Sequence, residues 1–109
     1  PPVPVQSWNG ILNATKLPNS CIQDELTETS LSEDCLYLNI WTPATRPTNS
    51  PVLIYIHGGG FNTGSSSEEF YDPSMIVAQS GMILVTINYR VSMLGFLYLN
   101  SNEAPGNQG

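Results

Sequence analysis

Apolar residues gather in three stretches of the chain that are typical of β-strands. Residues 52–56 form a continuous apolar run, and residues 82–88 are apolar on both faces, which predicts a buried central strand. Within residues 36–41, aliphatic side chains alternate with Tyr37, Asn39 and Trp41, which predicts a half-buried strand. A proline-containing loop at residues 43–51 separates this strand from the next one.

One helix is predicted between the last two strands. Asp72 can cap its start, Pro73 suits its first position, and Gly81 can end it. The order strand, loop, helix, strand indicates the α/β class.

The strand at residues 52–56 continues directly into His57, three consecutive glycines and Phe61, with a further glycine at Gly64. Glycines after a buried strand present backbone N–H groups that no side chain covers, an arrangement suited to an oxyanion. A phosphate-binding loop would require a lysine after the last glycine, and no lysine follows Gly60. A tight turn that needs glycine for its positive φ remains the alternative interpretation.

Four motifs in this chain resemble the type B carboxylesterase and cholinesterase family in both order and spacing. They are Ser-Glu-Asp-Cys-Leu-Tyr-Leu-Asn-Ile-Trp at residues 32–41, His-Gly-Gly-Gly-Phe at 57–61, Asn-Tyr-Arg-Val at 88–91 and Leu-Gly-Phe-Leu at 94–97. Within the family, Glu-Ala-Pro-Gly-Asn at 103–107 is more similar to cholinesterases. The resemblance implies an α/β-hydrolase fold, with residues 1–109 as the N-terminal part of the central mixed sheet of a single catalytic domain.

The resemblance also implies roles for residues of the glycine motif and its surroundings. Gly59 and Gly60 match the family positions whose N–H groups bind the oxyanion of the tetrahedral intermediate. Phe61, Asn62 and Tyr71 match positions that line the substrate gorge, although a tyrosine packed in the core is an equally good reading of Tyr71.

Two charged residues, Glu33 and Arg90, resemble structural ion-pair residues of the family. Buried ion pairs often perturb charge without taking part in chemistry, so we expect a structural role for both residues.

The catalytic triad cannot be assigned within these 109 residues. Serines follow Gly64, but no Gly-x-Ser-x-Gly elbow is present, and the only histidine, His57, belongs to the glycine motif. Both ends of the sequence resemble points inside a longer enzyme, so we expect a serine esterase as the full-length protein and no activity from residues 1–109 alone. The alternative is a non-catalytic cell-adhesion protein of the same fold, similar to the neuroligins.

The chain is acidic, with a formal net charge of −6. This charge argues against nucleic-acid binding and favours attraction of a cationic substrate, although an ordinary solvated acidic surface has the same composition. No apolar run reaches the roughly 18 residues of a membrane span. We expect no metal or cofactor, a carboxylic ester as the substrate, and a possible homo-oligomer of the full-length protein.

The cysteine pair and one sequon indicate secretion. Cys21 and Cys35 are the only cysteines, and without a Cys-x-x-Cys motif or a histidine cluster a disulfide is favoured over a zinc site. Closing such a loop of about 15 residues stabilises a fold by roughly 3 kcal/mol. Asn13 begins an Asn-Ala-Thr glycosylation sequon, so a secreted or extracellular protein is expected, with any membrane anchor outside these residues.

The resemblance leaves the choice between choline esters and other esters open. In cholinesterases the corresponding disulfide encloses a longer loop, whose tryptophan holds the choline cation over its ring. The only tryptophans here, Trp8 and Trp41, lie outside the loop between Cys21 and Cys35. This difference, with Asn62 where a gorge tyrosine is usual, favours a broader esterase.

Overall fold

The computed structural model describes residues 2–24, 30–45, 48–68 and 72–109, which contain five strands and two helices. In chain order these elements are β1 (Ser20–Cys21), β2 (Leu31–Ser32), β3 (Leu38–Trp41), β4 (Val52–Ile56), α1 (Ser74–Ser80), β5 (Ile83–Ile87) and α2 (Ser92–Phe96).

A three-stranded mixed sheet with the order β3-β5-β4 positions the glycine motif. Strand β5 lies in the centre, antiparallel to β3 and parallel to β4, and its Leu84 and Thr86 are buried. The expectation of a central strand at residues 82–88 is therefore confirmed. Because β4 and β5 are parallel, the chain must cross between them, and α1 lies in that crossover.

Strand β3 is shorter than the alternation of residues 36–41 predicts. Its pairing with β5 begins at Leu38, opposite Ile87. Just before this point, the N–H of Tyr37 donates to the carbonyl of Cys35 over 2.8 Å, closing a three-residue turn. The turn takes the N–H of Tyr37 out of the ladder, although the carbonyl of Tyr37 still accepts the N–H of Asn88.

Helix α1 begins one residue later than the sequence predicts. Pro73 is the N-cap, with a ψ of 4°, rather than the first helical residue. The carboxylate of Asp72 accepts hydrogen bonds from the N–H and hydroxyl of Ser74, and these bonds hold the pKa of Asp72 below its ordinary value. Gly81 ends the helix at a φ of 72°, as predicted.

Cys21 and Cys35 form the predicted disulfide, with their Cα atoms 5.0 Å apart. Both residues are buried, and the bond closes a loop in which β1 and β2 pair in parallel. We call residues 21–35 the disulfide loop. Its Cys35 end lies beside the carboxyl end of β5, where Asn88 donates to the carbonyl of Cys35.

Large apolar side chains remain exposed on the sheet in the part of the chain that the structure describes. They include Ile40, Ile54 and Ile56, each with about 60% of its surface accessible. Isoleucine is one of the residue types that proteins most often bury. None of the described helices is long and apolar enough to span a membrane.

Candidate active site

The glycine motif after β4 forms a tight turn that only glycine-rich sequences adopt readily. Gly59 and Gly60 have φ values of 113° and 59°, and Phe61 follows at 65°. The carbonyl of Gly59 accepts hydrogen bonds from the N–H groups of Asn62 and Thr63, at 3.0 and 3.1 Å. We call residues 57–64 the glycine loop.

The glycines of this loop are required for different reasons. A Cβ atom on Gly59 would lie 2.0 Å from the carbonyl oxygen of Thr63, and one on Gly64 would lie 2.4 Å from the carbonyl oxygen of Gly58. By contrast, a Cβ atom on Gly58 or Gly60 would meet nothing within 4 Å. Gly59 and Gly64 are therefore needed for close packing, whereas Gly58 and Gly60 keep a space open.

That space is part of a cavity of about 400 Å³ at the carboxyl ends of the two parallel strands. Ile56 and Ile87, at these strand ends, form its floor. The carboxyl ends of parallel strands are where α/β proteins bind their ligands. The remaining lining residues are His57, Gly58, Gly60, Phe61, Tyr89, Phe96, Asn107 and Gly109.

Two backbone N–H groups of the loop have no hydrogen-bond acceptor among the described residues, and one of them belongs to a residue that lines this cavity. Within the described ranges, no group accepts a hydrogen bond from the N–H of Gly59 or Gly60. Gly60 lines the cavity, and Gly59 lies one residue before it in the chain. Donors held by a turn need no rearrangement to meet a negative charge, which is the property of an oxyanion hole.

Aromatic rings hold the start of the loop in place. The ring of Tyr89 stacks on His57 with centroids 4.2 Å apart, and its hydroxyl donates to the carbonyl of His57 at 2.8 Å. Burial raises the pKa of Tyr89, so the phenol stays neutral and can donate. Phe96 contacts Tyr89 and Phe61 edge to face, which extends the aromatic wall along the cavity.

His57 supports the loop and is nearly enclosed, with only 4% of its surface accessible. Its Nδ1 lies 2.9 Å from the carbonyl oxygen of Gly58, which can only accept, so Nδ1 is the donor in this contact. The other nitrogen, Nε2, is buried and has no hydrogen-bond partner among the described residues.

The predicted gorge residues fall in different places. Phe61 lines the cavity and is 63% exposed, so it is available to a ligand. Asn62 is exposed and is not a lining residue of this cavity. Tyr71 lies outside the described residues.

The predicted ion-pair residues Glu33 and Arg90 line one smaller cavity of about 230 Å³, next to the disulfide. No ion pair joins these two residues in the structure. The guanidinium of Arg90 donates instead to the carbonyl of Gln108, and Glu33 is exposed. Their role as ion-pair residues stays a prediction.

At the predicted glycosylation site, Asn13 is exposed. Its side-chain oxygen accepts a hydrogen bond of 2.8 Å from the Thr15 hydroxyl. Attachment of a glycan stays a prediction.

Sequence reasoning missed the residues that hold the far end of the glycine loop. Gln23 forms hydrogen bonds with both backbone groups of Gly64. Asn88 accepts the N–H of Ser66 at 2.8 Å. Asn88 is a polar residue at the end of an apolar run, a pattern that could have identified it as a structural hydrogen-bonding residue. Nothing in the sequence singles out Gln23, because its contact with Gly64 spans 41 residues.

Comparisons with known proteins identify the family of the chain. A profile of the carboxylesterase family matches residues 1–109. The chain is 42% identical to an acetylcholinesterase of Leptinotarsa decemlineata, and 46% and 45% identical to acetylcholinesterase 1 of Caenorhabditis briggsae and of Caenorhabditis elegans. Each match covers 99% of this chain but only 20% to 22% of the relative, so the chain spans about a fifth of their length. The chain belongs to the carboxylesterase family, whose fold is that of the α/β hydrolases.

Proposed function

We propose that this chain is the oxyanion-binding part of a serine carboxylic ester hydrolase of the cholinesterase type. Membership of the carboxylesterase family and the acetylcholinesterases among its relatives support this proposal. The observation that carries it is the pair of N–H groups at Gly59 and Gly60, which have no acceptor among the described residues. They belong to a rigid turn beside a cavity that Gly60 lines.

The proposed reaction is acyl transfer. A serine outside these 109 residues, activated by a histidine and an acidic residue, attacks the ester carbonyl and forms an acyl-enzyme that water hydrolyses. Negative charge develops on the carbonyl oxygen in each tetrahedral intermediate. The N–H groups of Gly59 and Gly60 stabilise that charge, and the residue after the serine supplies a third donor.

The surroundings of the cavity suit a small ester. Phe61 and Phe96 provide an apolar wall for the acyl or alcohol group, and the neutral phenol of Tyr89 adds no charge. The net charge of −6 on these 109 residues favours a cationic substrate such as a choline ester over an anionic one. The disulfide and the exposed sequon at Asn13 support a secreted protein.

The proposal is tested by removing one backbone donor without adding a side chain. Replacing Gly60 by glycolic acid in the full-length enzyme converts its N–H into an ester oxygen. Loss of one oxyanion donor is expected to lower kcat by about 10²- to 10³-fold while KM changes little. Turnover of a small neutral ester per titrated active site is the measurement.

The matched control is the same replacement at Gly58, which lies in the same turn but is not a proposed donor. Its kcat is expected to stay close to that of the unmodified enzyme. An unchanged kcat for the Gly60 variant contradicts the assignment. Complete absence of ester hydrolysis in the full-length protein favours the adhesion alternative.

A further inference from the structure

We infer that Gln23 is a positioning residue that holds the glycine loop, and with it the oxyanion donors, in their working geometry. The inference rests on the proposed function, because it assigns a role toward the same two N–H groups. Gln23 lies in the disulfide loop, 41 residues before the glycine that it contacts.

The side-chain amide of Gln23 forms hydrogen bonds with both backbone groups of Gly64, and we call this pair of bonds the clamp. The N–H of Gly64 donates to Oε1 of Gln23 at 2.8 Å, and Nε2 of Gln23 donates to the carbonyl of Gly64 at 3.0 Å. A second bond from Nε2 reaches the carbonyl of Cys21, also at 3.0 Å. Three of the four hydrogen bonds open to a primary amide are thus made, in a residue only 7% exposed.

Gly64 in turn packs directly against the start of the glycine loop. A Cβ atom added to Gly64 would lie 2.4 Å from both the carbonyl oxygen of Gly58 and Nδ1 of His57. The preceding residue, Thr63, has its carbonyl against Cα of Gly59 and donates its N–H to the carbonyl of Gly59. Since these contacts leave no free space, a shift of Gly64 moves the segment that carries both donors.

The anchor of this clamp is rigid. Gln23 lies two residues after Cys21, and both Cys21 and Cys35 are almost fully buried. The carbonyl of Cys35 accepts a hydrogen bond from Asn88, which directly follows the central strand, so the disulfide is tied to the sheet. Gln23 therefore fixes the far end of the glycine loop to the same sheet from which its near end emerges.

The clamp is tested with Gln23→Ala and Gln23→Glu in the full-length enzyme. Alanine removes all three hydrogen bonds, whereas glutamate keeps the acceptor for Gly64 and loses both donations. Because misplacing a catalytic group by about 1 Å can cost 10²-fold, we expect kcat to fall by about 10- to 100-fold in both variants, with KM within about twofold.

Two further measurements separate positioning from a general loss of structure. Phosphorylation by an organophosphate counts the folded active sites, so kcat is expressed per site. Affinity for a trifluoromethyl ketone, which mimics the tetrahedral intermediate, is expected to fall by the same factor as kcat. Ser30→Ala is the matched control, because it deletes an exposed hydrogen bond to Asn19 in the same loop without touching Gly64; its kcat should be unchanged.

A lower number of active sites with normal kcat per site overturns the inference, as does a rise in KM alone. If Gln23→Ala yields no folded enzyme, Gln23→Glu decides by the same criteria. If the Gly60 replacement lowers kcat but both Gln23 variants keep a normal kcat, the role of Gln23 is overturned and the proposed function stands. A Gly60 replacement without effect overturns the proposed function itself.

Discussion

Gly58 and Gly59 are neighbours in the glycine loop, but a side chain added at each would meet opposite surroundings. The left-handed φ of 113° at Gly59 and the carbonyl of Thr63 both exclude a Cβ atom there. At Gly58 the backbone is not left-handed, and the space beside it is open to the cavity. Stability requires glycine at position 59, whereas only access to the cavity requires it at 58.

We therefore predict that Gly59→Ala lowers the free energy of unfolding of the full-length protein by at least about 2 kcal/mol, because the new side chain is strained at a left-handed φ and collides with the carbonyl of Thr63. Gly58→Ala, its matched control, should change stability by less than about 0.5 kcal/mol. Urea denaturation followed by tryptophan fluorescence measures both. Equal stability of the two variants would contradict the loop geometry.

At the scale of elements, the connection from the glycine loop to the sheet is made by buried polar groups. Ser65, Ser66 and Ser67 are each at most 4% exposed. Asn88, at the end of β5, accepts the N–H of Ser66 and donates to the carbonyls of Asn19 and Cys35, each bond being 2.8 to 3.0 Å long. The side chain of Asn88 thus joins the segment of residues 65–67, the central strand β5 and the disulfide.

Asn88→Ala is predicted to lower the free energy of unfolding by about 2 to 4 kcal/mol, because the backbone groups of the buried Ser66 and Cys35 lose their partner, as does the carbonyl of the exposed Asn19. Asn88→Asp keeps the acceptor and loses both donations, so it should also be destabilising. Asn102→Ala, at an exposed position, is the control and should have no effect. Thermal denaturation of the three variants is the measurement, and a stable Asn88→Ala would show that this network is dispensable.

At the scale of the whole molecule, the disulfide loop bears on substrate choice. Residues 21–35 contain no tryptophan and no other aromatic residue. The aromatic surface that the structure describes at the cavity, Phe61, Tyr89 and Phe96, comes from other segments.

Under the proposed function, we predict that the full-length protein prefers a choline ester over its neutral isostere less strongly than a cholinesterase with a tryptophan in that loop. Losing a cation–π contact of roughly 0.5 to 2 kcal/mol lowers the preference by up to about 30-fold. The ratio of kcat/KM for acetylthiocholine and its neutral carbon isostere measures it. A preference of a hundredfold or more for the cation would mean that another group replaces the ring.

The sequence by itself determined most of the local structure and the family to which the chain belongs. The apolar runs predicted β4 and the central strand β5, Gly81 predicted the end of α1, and the cysteine pair predicted the disulfide. Each of these depends on residues close together in the chain or on a single strong preference. The glycine motif indicated backbone donors for the same reason, because a left-handed turn is a local property.

Only the tertiary structure decided how these parts are held together. The turn that shortens β3 is closed by the carbonyl of Cys35, a residue that the disulfide joins to Cys21. Glu33 and Arg90 share a cavity without forming a pair, although their spacing in the sequence would allow either arrangement. Gln23 reaches Gly64 because the disulfide and the sheet bring together segments 41 residues apart. A contact of this kind leaves no periodicity in the chain, since it arises from packing rather than from neighbouring residues.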